Sequence, residues 1–246
     1  MLTSKFPNLR VAILVNTHRS ASFEQSTRSS FIETLAAVAP LAKVDFFDPI
    51  EAHDYPIAQS YDAIILSGGT ADIITPEPWV LKLLEFVRQT VASSKTKLVG
   101  ICWGHQAINV ALGGRIAEME ERGEKPELGI RTVQLTEEGA AFFPFTDGEK
   151  AFDMHQFHRL EVVEPAPGLI PLVNHNQSFK SADNRILTFQ GHPEMNAKLA
   201  QAILAEAPTY TKGMTETDLE EVRADMERRE DGSLVFERIV AWVEEA

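Results

Sequence analysis

The sequence predicts an α/β fold: a doubly wound, mostly parallel central sheet with an antiparallel extension. Three observations predict it. Continuous apolar runs at residues 11–15 (VAILV), 62–67 (DAIILS) and 97–101 (KLVGI) are of the kind found in strands covered on both faces. Segments of helical periodicity stand between such runs, and a strand that alternates with helices must return over a face of a parallel sheet. Beyond residue 114 the pattern changes to short apolar pieces separated by turns, which read as mixed or antiparallel strands.

In chain order, residues 11–15 form the first strand. Phe31, Ile32, Leu35 and Val38 then recur at helical spacing and stop before Pro40. Residues 43–47 (KVDFF) read as the second strand and 62–67 as the third. Ser67-Gly68-Gly69 follows, and Thr75-Pro76 opens a helix whose Trp79, Val80, Leu83, Leu84, Val87 and Val91 make one apolar stripe. The fourth strand runs into Gly100-Ile101-Cys102-Trp103-Gly104 and a helix (Ile108, Ala111, Leu112) that ends at Gly113-Gly114. Residues 115–119, 130–135, 160–163, 170–173 and 186–189 are the expected strands of the extension, and the charged stretch 118–127 (EMEERGEKPE) is expected to be a solvated loop. From Glu194 the chain turns helical again. Residues 217–220 (TDLE) fit a capping box, and Val235, Ile239, Trp242 and Val243 mark a last amphipathic helix. With 246 residues, 44% of them apolar, one core suffices. Residues 1–205 are expected to form one domain and residues 206–246 a helical extension packed on its flank.

Composition excludes some partners. A formal charge of −13 without a basic cluster disfavours nucleic acid and anionic membrane surfaces, since both are polyanions. One cysteine excludes an internal disulfide and fits a reducing compartment. The N-terminal apolar run is too short for a secretion signal and no run reaches membrane length, so the cytosol, or the nucleus, is the expected location.

The chemistry centres on Cys102. Strand, sharp turn and helix, with glycines on either side, suit a strained elbow like the G-x-S-x-G turn of hydrolases. A thiol at a helix N-terminus sits where free N–H groups favour an anion, here the nucleophilic thiolate. Attack on a carbonyl carbon also needs a base, a group to orient it and donors for the oxyanion. Gln190-Gly191-His192-Pro193-Glu194 directly follows a predicted strand, so His192 is the candidate base and Glu194 its orienter. Backbone N–H groups of Trp103 and Gly69 are the natural oxyanion donors. His155 and His158, with His105 or His175, raise the thought of zinc, but the cysteine or carboxylate spacing of a structural site is missing, and no metal is expected.

Ser67-Gly68-Gly69, the run from Gly100 to Gln106 (GICWGHQ) and the run from Gln190 to Glu194 (QGHPE) together resemble the class I (triad) glutamine amidotransferases. The likeness extends over residues 10–205 and is greatest to stand-alone members, similar to the GMP synthase glutaminase domain and to γ-glutamyl peptidases. The resemblance implies a flavodoxin-like sheet, a γ-glutamyl thioester on Cys102 and a triad completed by His192 and Glu194. It also implies oxyanion donation by the Gly69 and Trp103 amides, substrate contacts from Gly68, Gln106 and His155, and no cofactor. His155 matches the histidine of a His-x-Asp segment that helps hold the substrate's amino-acid end. Phe157 stands where an acidic residue is common, which removes an anionic partner for a free α-amino group. The expected substrate is a small γ-glutamyl amide, glutamine or a γ-glutamyl peptide. No G-x-x-x-x-G-K-[ST] motif is present, so a synthase role requires a separate acceptor-handling subunit, whereas a free-standing hydrolase requires none. Two other readings stay open: a binding or regulatory protein that kept the fold, and a redox sensor built on the elbow cysteine.

Overall fold

The computed structural model describes residues 9–17, 20–123, 126–146, 148–206, 211 and 214–245. Five parallel strands form the centre of a seven-stranded sheet: β1 (Arg10–Leu14), β2 (Lys43–Phe47), β3 (Ala63–Leu66), β4 (Lys97–Ile101) and, entering late in the chain, β11 (Ile186–Phe189). The order is β2-β1-β3-β4-β11-β10-β9, where β9 (Leu169–Val173) and β10 (Ser178–Ser181) add the antiparallel edge.

Both faces are covered, which explains the unbroken apolar runs. Val11, Ile13, Ile65, Val99 and Ile101 point to one face and pack with Phe31 and Leu35 of α1 (Ala21–Val38) and with Val235, Phe236 and Ile239 of the C-terminal helix Gly232–Val243. Ala12, Leu14, Ile64, Leu66 and Leu98 point to the other and pack with α2 (Pro78–Ser93) and α3 (Trp103–Ala111). Burying each such Leu, Ile, Val or Phe contributes about 1.5–3 kcal/mol.

Several boundaries differ from the sequence expectation. α1 begins at Ala21, ahead of its apolar repeat, because the Ser20 hydroxyl accepts the Phe23 N–H at 3.2 Å and caps it. α2 begins at Pro78, not at Thr75-Pro76. Thr75 is held in a turn by Asp72, whose carboxylate accepts its N–H and hydroxyl at 3.1 and 2.6 Å. The later capping box pairs Thr215 with Asp218, two residues earlier than the 217–220 reading, since a carboxylate one methylene shorter does the same work. The short strands past residue 114 do not all extend the sheet. β5 (Arg115–Glu118) pairs with β8 (Leu160–Glu164), and β6 (Glu127–Gln134) with β7 (Ala151–His158), as two separate antiparallel ribbons. β7 has no counterpart in the sequence reading.

Register places the functional loops. Leu66 of β3 lies opposite Gly100 of β4, and Phe189 of β11 opposite Ile101, so residues 67–69, 102 and 190–194 all leave the carboxyl edge of three adjacent strands together.

Candidate active site

Cys102 is the turn between β4 and α3, with φ 52° and ψ −106°. Positive φ is strained for a residue with a Cβ, and the surroundings enforce it. The Cys102 N–H donates to the Phe189 carbonyl at 2.7 Å, so the strand ladder continues to that residue and stops. The flanking glycines serve close packing: a Cβ on Gly104 would lie 2.2 Å from the Leu66 carbonyl oxygen, and one on Gly100 2.6 Å from the Gly104 carbonyl oxygen. Any larger residue would push α3 off the sheet and take Cys102 with it.

The glycine loop is fixed to the elbow from two sides. Asn16 donates its N–H to Ser67 Oγ at 2.9 Å and its side-chain amide to the Ser67 carbonyl at 3.1 Å. On the other side Trp103 stacks on Trp79 with ring centroids 5.5 Å apart, and its indole N–H donates to the Ala71 carbonyl at 2.9 Å. Gly69 lies against both anchors, because a Cβ there would meet the Asn16 carbonyl oxygen and approach Trp103 Cγ at 3.3 Å.

His192 leaves β11 through the turn at Gly191 and is tied to the neighbouring ribbon by its N–H, which donates to the His155 carbonyl at 2.9 Å. Its Nδ1 lies 2.9 Å from Glu194 Oε1. Gly68 faces the ring and the thiol together: the position of a Gly68 Cβ is 2.9 Å from His192 Cε1 and 3.7 Å from Cys102 Cβ. All three side chains are buried, with Cys102, His192 and Glu194 at 5%, 5% and 3% exposure. Burial works against a charged imidazole, yet Cys102 and Glu194 on either side favour the cation and together raise His192 to about 10. Glu194 is itself fixed from α1, where Ser30 Oγ donates to its carbonyl at 2.5 Å.

Two cavities meet at Cys102. One is polar, lined among others by Asp72, Gln106, Glu118, His158 and Arg159. The other contains His192 and Glu194 and is otherwise mostly apolar, with Phe23, Phe157, Met195, Leu199 and Ile203 in its walls.

Of the residues singled out from sequence, Gly68, Gly69, Cys102, His192 and Glu194 line one cavity, and Trp103 and Gln106 line the other with Cys102 and Gly69. Gln106 donates to the Leu160 carbonyl at 2.8 Å and to Gln190 Oε1 at 3.1 Å. His155 lines neither cavity; it supports His192 through its carbonyl, while its imidazole, lowered to about 4 by burial and by His192, is packed beneath. His158 is the histidine at the polar cavity, lowered to about 3 by burial and by His192.

Three contributions were missed from sequence: Asn16, Gln190 (Nε2 is 3.9 Å from Cys102 Sγ) and Phe157 (its carbonyl accepts from Cys102 Sγ at 3.5 Å). Gln190 carried a signal through its place in the QGHPE run, and Phe157 was singled out only for its side chain, not for this carbonyl contact. Among the described residues no cluster of three or more His, Cys, Asp or Glu is placed to hold a metal ion. No described helix is long and apolar enough to cross a membrane.

Residues 21–207 match the family model described as glutamine amidotransferase class-I. The chain is 36% identical over 241 residues to a glutamine amidotransferase-like protein of Penicillium rubens, covering 97% of this chain and 98% of that protein. Over 150 residues it is 27% identical to gamma-glutamyl peptidase 2 of Arabidopsis thaliana, covering 59% of this chain and 58% of that one. The solved structure of a glutamine amidotransferase from Thermotoga maritima shares the fold, with a TM-score of 0.72 at 18% identity over 96% of this chain and 99% of the other.

Proposed function

The chain belongs to the class I glutamine amidotransferases, and from that premise we propose that it hydrolyses a γ-glutamyl amide through a thioester on Cys102, with His192 as acid and base and Glu194 as its orienter. The observation that carries this reading is the enclosed arrangement of the three groups: an imidazole held at 2.9 Å by one carboxylate oxygen, with its ring on the same glycine as the strained thiol. A raised His192 keeps its proton beside Cys102, and both that cation and the helix N-terminus favour the nucleophilic thiolate once the S–H proton has left.

In the reaction that follows, the Cys102 sulfur attacks the γ-carbonyl carbon, and the oxygen takes up the electron pair of the C=O bond. Backbone N–H groups of Gly69 and Trp103 are the donors for that oxygen. As the carbonyl re-forms, the C–N bond breaks, and the proton on His192 passes to the departing nitrogen, which leaves as ammonia or an amine. Water then gives a proton to His192 and its oxygen to the acyl carbon. The C–S bond breaks, glutamate departs, and the ion pair is restored. No step calls for a cofactor, and a reducing compartment suits a lone thiol nucleophile. The amino-acid end of the substrate belongs in the polar cavity, where Arg159 and Glu118 offer charges of both signs. His158 there, rather than His155, is the residue within reach of it.

Ammonia release from glutamine, and labelling of the protein by a diazoketone analogue of glutamine, test the reading. Wild type should do both and Cys102→Ala neither. An unlabelled wild-type protein with no amide turnover would leave the fold without this activity.

A further inference from the structure

Resting on the hydrolase reading above, we propose that the apolar cleft on the His192 side of Cys102 is the binding site of the amide's nitrogen substituent, so that the preferred substrates are γ-glutamyl amides of uncharged, apolar amines rather than glutamine or γ-glutamyl amino acids. The cleft opens where the leaving nitrogen must lie. His192 hands its proton to that nitrogen, and His192 and Cys102 are both walls of the cleft, whose free volume of about 40 Å³ continues into an open mouth. Ammonia needs none of this room.

The lining sets the chemistry. Phe23 comes from the first turn of α1, Phe157 from the end of β7, and Met195, Leu199 and Ile203 from the segment and helix that follow the triad. All five are at most 8% exposed and form one packed cluster, so a hydrocarbon chain entering between them is transferred out of water. Glu194 is part of the cleft wall, and its second oxygen is buried with no hydrogen-bond partner among the described residues. An amine carrying a carboxylate would bring a second negative charge towards it in a setting of low dielectric, which disfavours amino acids and peptides as leaving groups. The two cavities thus divide the substrate at the scissile bond, with the charged glutamyl moiety on the polar side and an apolar amine on the other. The bond changes are those already given: C–N breaks, C–S forms, and the neutral amine RNH₂ departs with the His192 proton.

The test is kcat/KM of the full chain for γ-glutamyl alkylamides from ethyl to hexyl, whose amines are of nearly equal basicity, beside glutamine and γ-glutamylglycine. Each methylene buried in the cleft should raise kcat/KM about fourfold until the cleft is full, and the butylamide should exceed γ-glutamylglycine at least tenfold. Ile203→Arg should cut that ratio at least tenfold, by placing a cation where the carboxylate of glycine would fall. Should Ile203→Arg not fold, Thr27→Leu, which narrows the same cleft from α1, should make the series level off at a shorter chain. A flat series with glutamine turned over overturns the cleft assignment and leaves the hydrolase reading standing. Failure of every amide, glutamine included, with no labelling of Cys102, overturns the hydrolase reading first and this inference with it.

Discussion

Gly68→Ala puts one methyl group between thiol and imidazole and so measures how tightly the site is set. The added carbon would stand 2.9 Å from His192 Cε1, with His192 Nδ1 and Cys102 Cβ both at 3.7 Å. Carbon atoms rest at about 3.5–4 Å, so the ring must retreat by roughly half an ångström or more. It cannot do so freely, because Nδ1 is bonded to Glu194 and the backbone N–H to the His155 carbonyl. A misplacement of about 1 Å costs on the order of 100-fold in rate, which makes about tenfold in kcat the expected loss. Stability should hold or fall slightly: Gly68 is not among the positive-φ glycines, so alanine gains about 0.4–1 kcal/mol by restricting the unfolded chain, and the crowding of the pinned ring offsets that gain. Gly104→Ala is the contrast, because its Cβ would meet a strand carbonyl oxygen that cannot move aside, and overpacking of that kind costs about 1–3 kcal/mol. Ammonia release from glutamine beside chemical denaturation reads both variants. Wild-type kcat in a folded Gly68→Ala protein would refute the geometry.

The strain at Cys102 predicts that Cys102→Gly is more stable than Cys102→Ala by about 1 kcal/mol, the cost of a left-handed residue with a Cβ; equal denaturation midpoints would remove the strain argument. Glu194→Gln keeps the shape of the orienter and loses its charge, so kcat should fall by about 10²–10⁴ and the His192 titration followed by NMR should move down from about 10. An unmoved titration with full kcat would deny the pairing. Because His192 is raised in the folded chain, its contacts with Cys102 and Glu194 stabilise the fold fully below about pH 6.5 and are lost as pH rises towards 10. Denaturation midpoints that fall over that range in wild type and stay level in Glu194→Gln check the sign. On the acid side His105, His155 and His158 are lowered by burial to about 3, 4 and 3, so the unfolded chain takes up protons first and stability falls as pH drops below 6.5. Each unprotonated histidine costs about 1.4 kcal/mol per pH unit there, and a stability that is flat from pH 6.5 to 4.5 would contradict their burial as neutral groups.

The parallel sheet was legible because strands covered on both faces have no choice but to be apolar throughout, as at residues 11–14 and 63–66. The elbow was legible because Gly100 and Gly104 are forced by backbone contacts on either side of Cys102. What escaped has equally physical reasons. β7 (AFDMHQFH) is buried along most of its length but carries polar groups inward, among them Gln156 and His158, so no period betrays it. The amino-terminal half of α1 lies off the main core: Ser20 caps it, Ser30 holds the Glu194 carbonyl, and among its described residues only Phe23 and Thr27 face the cleft, so its polar residues mask the helical period. His155 and His158 could not be told apart by type or spacing; only the pairing of β7 with β6 and the bridge to His192 send one beneath the base and the other to the polar cavity. Asn16 is a lone polar residue at a strand end, without a pattern to announce it.

Rapid quenching of the wild-type protein during turnover of a γ-glutamyl amide, followed by peptide mass spectrometry, goes straight to the covalent step. The account predicts a glutamyl group on the peptide that contains Cys102, accumulating in wild type and absent from Cys102→Ala. Hydrolysis that persists in Cys102→Ala, or turnover in wild type with the acyl group found on another residue, would contradict it.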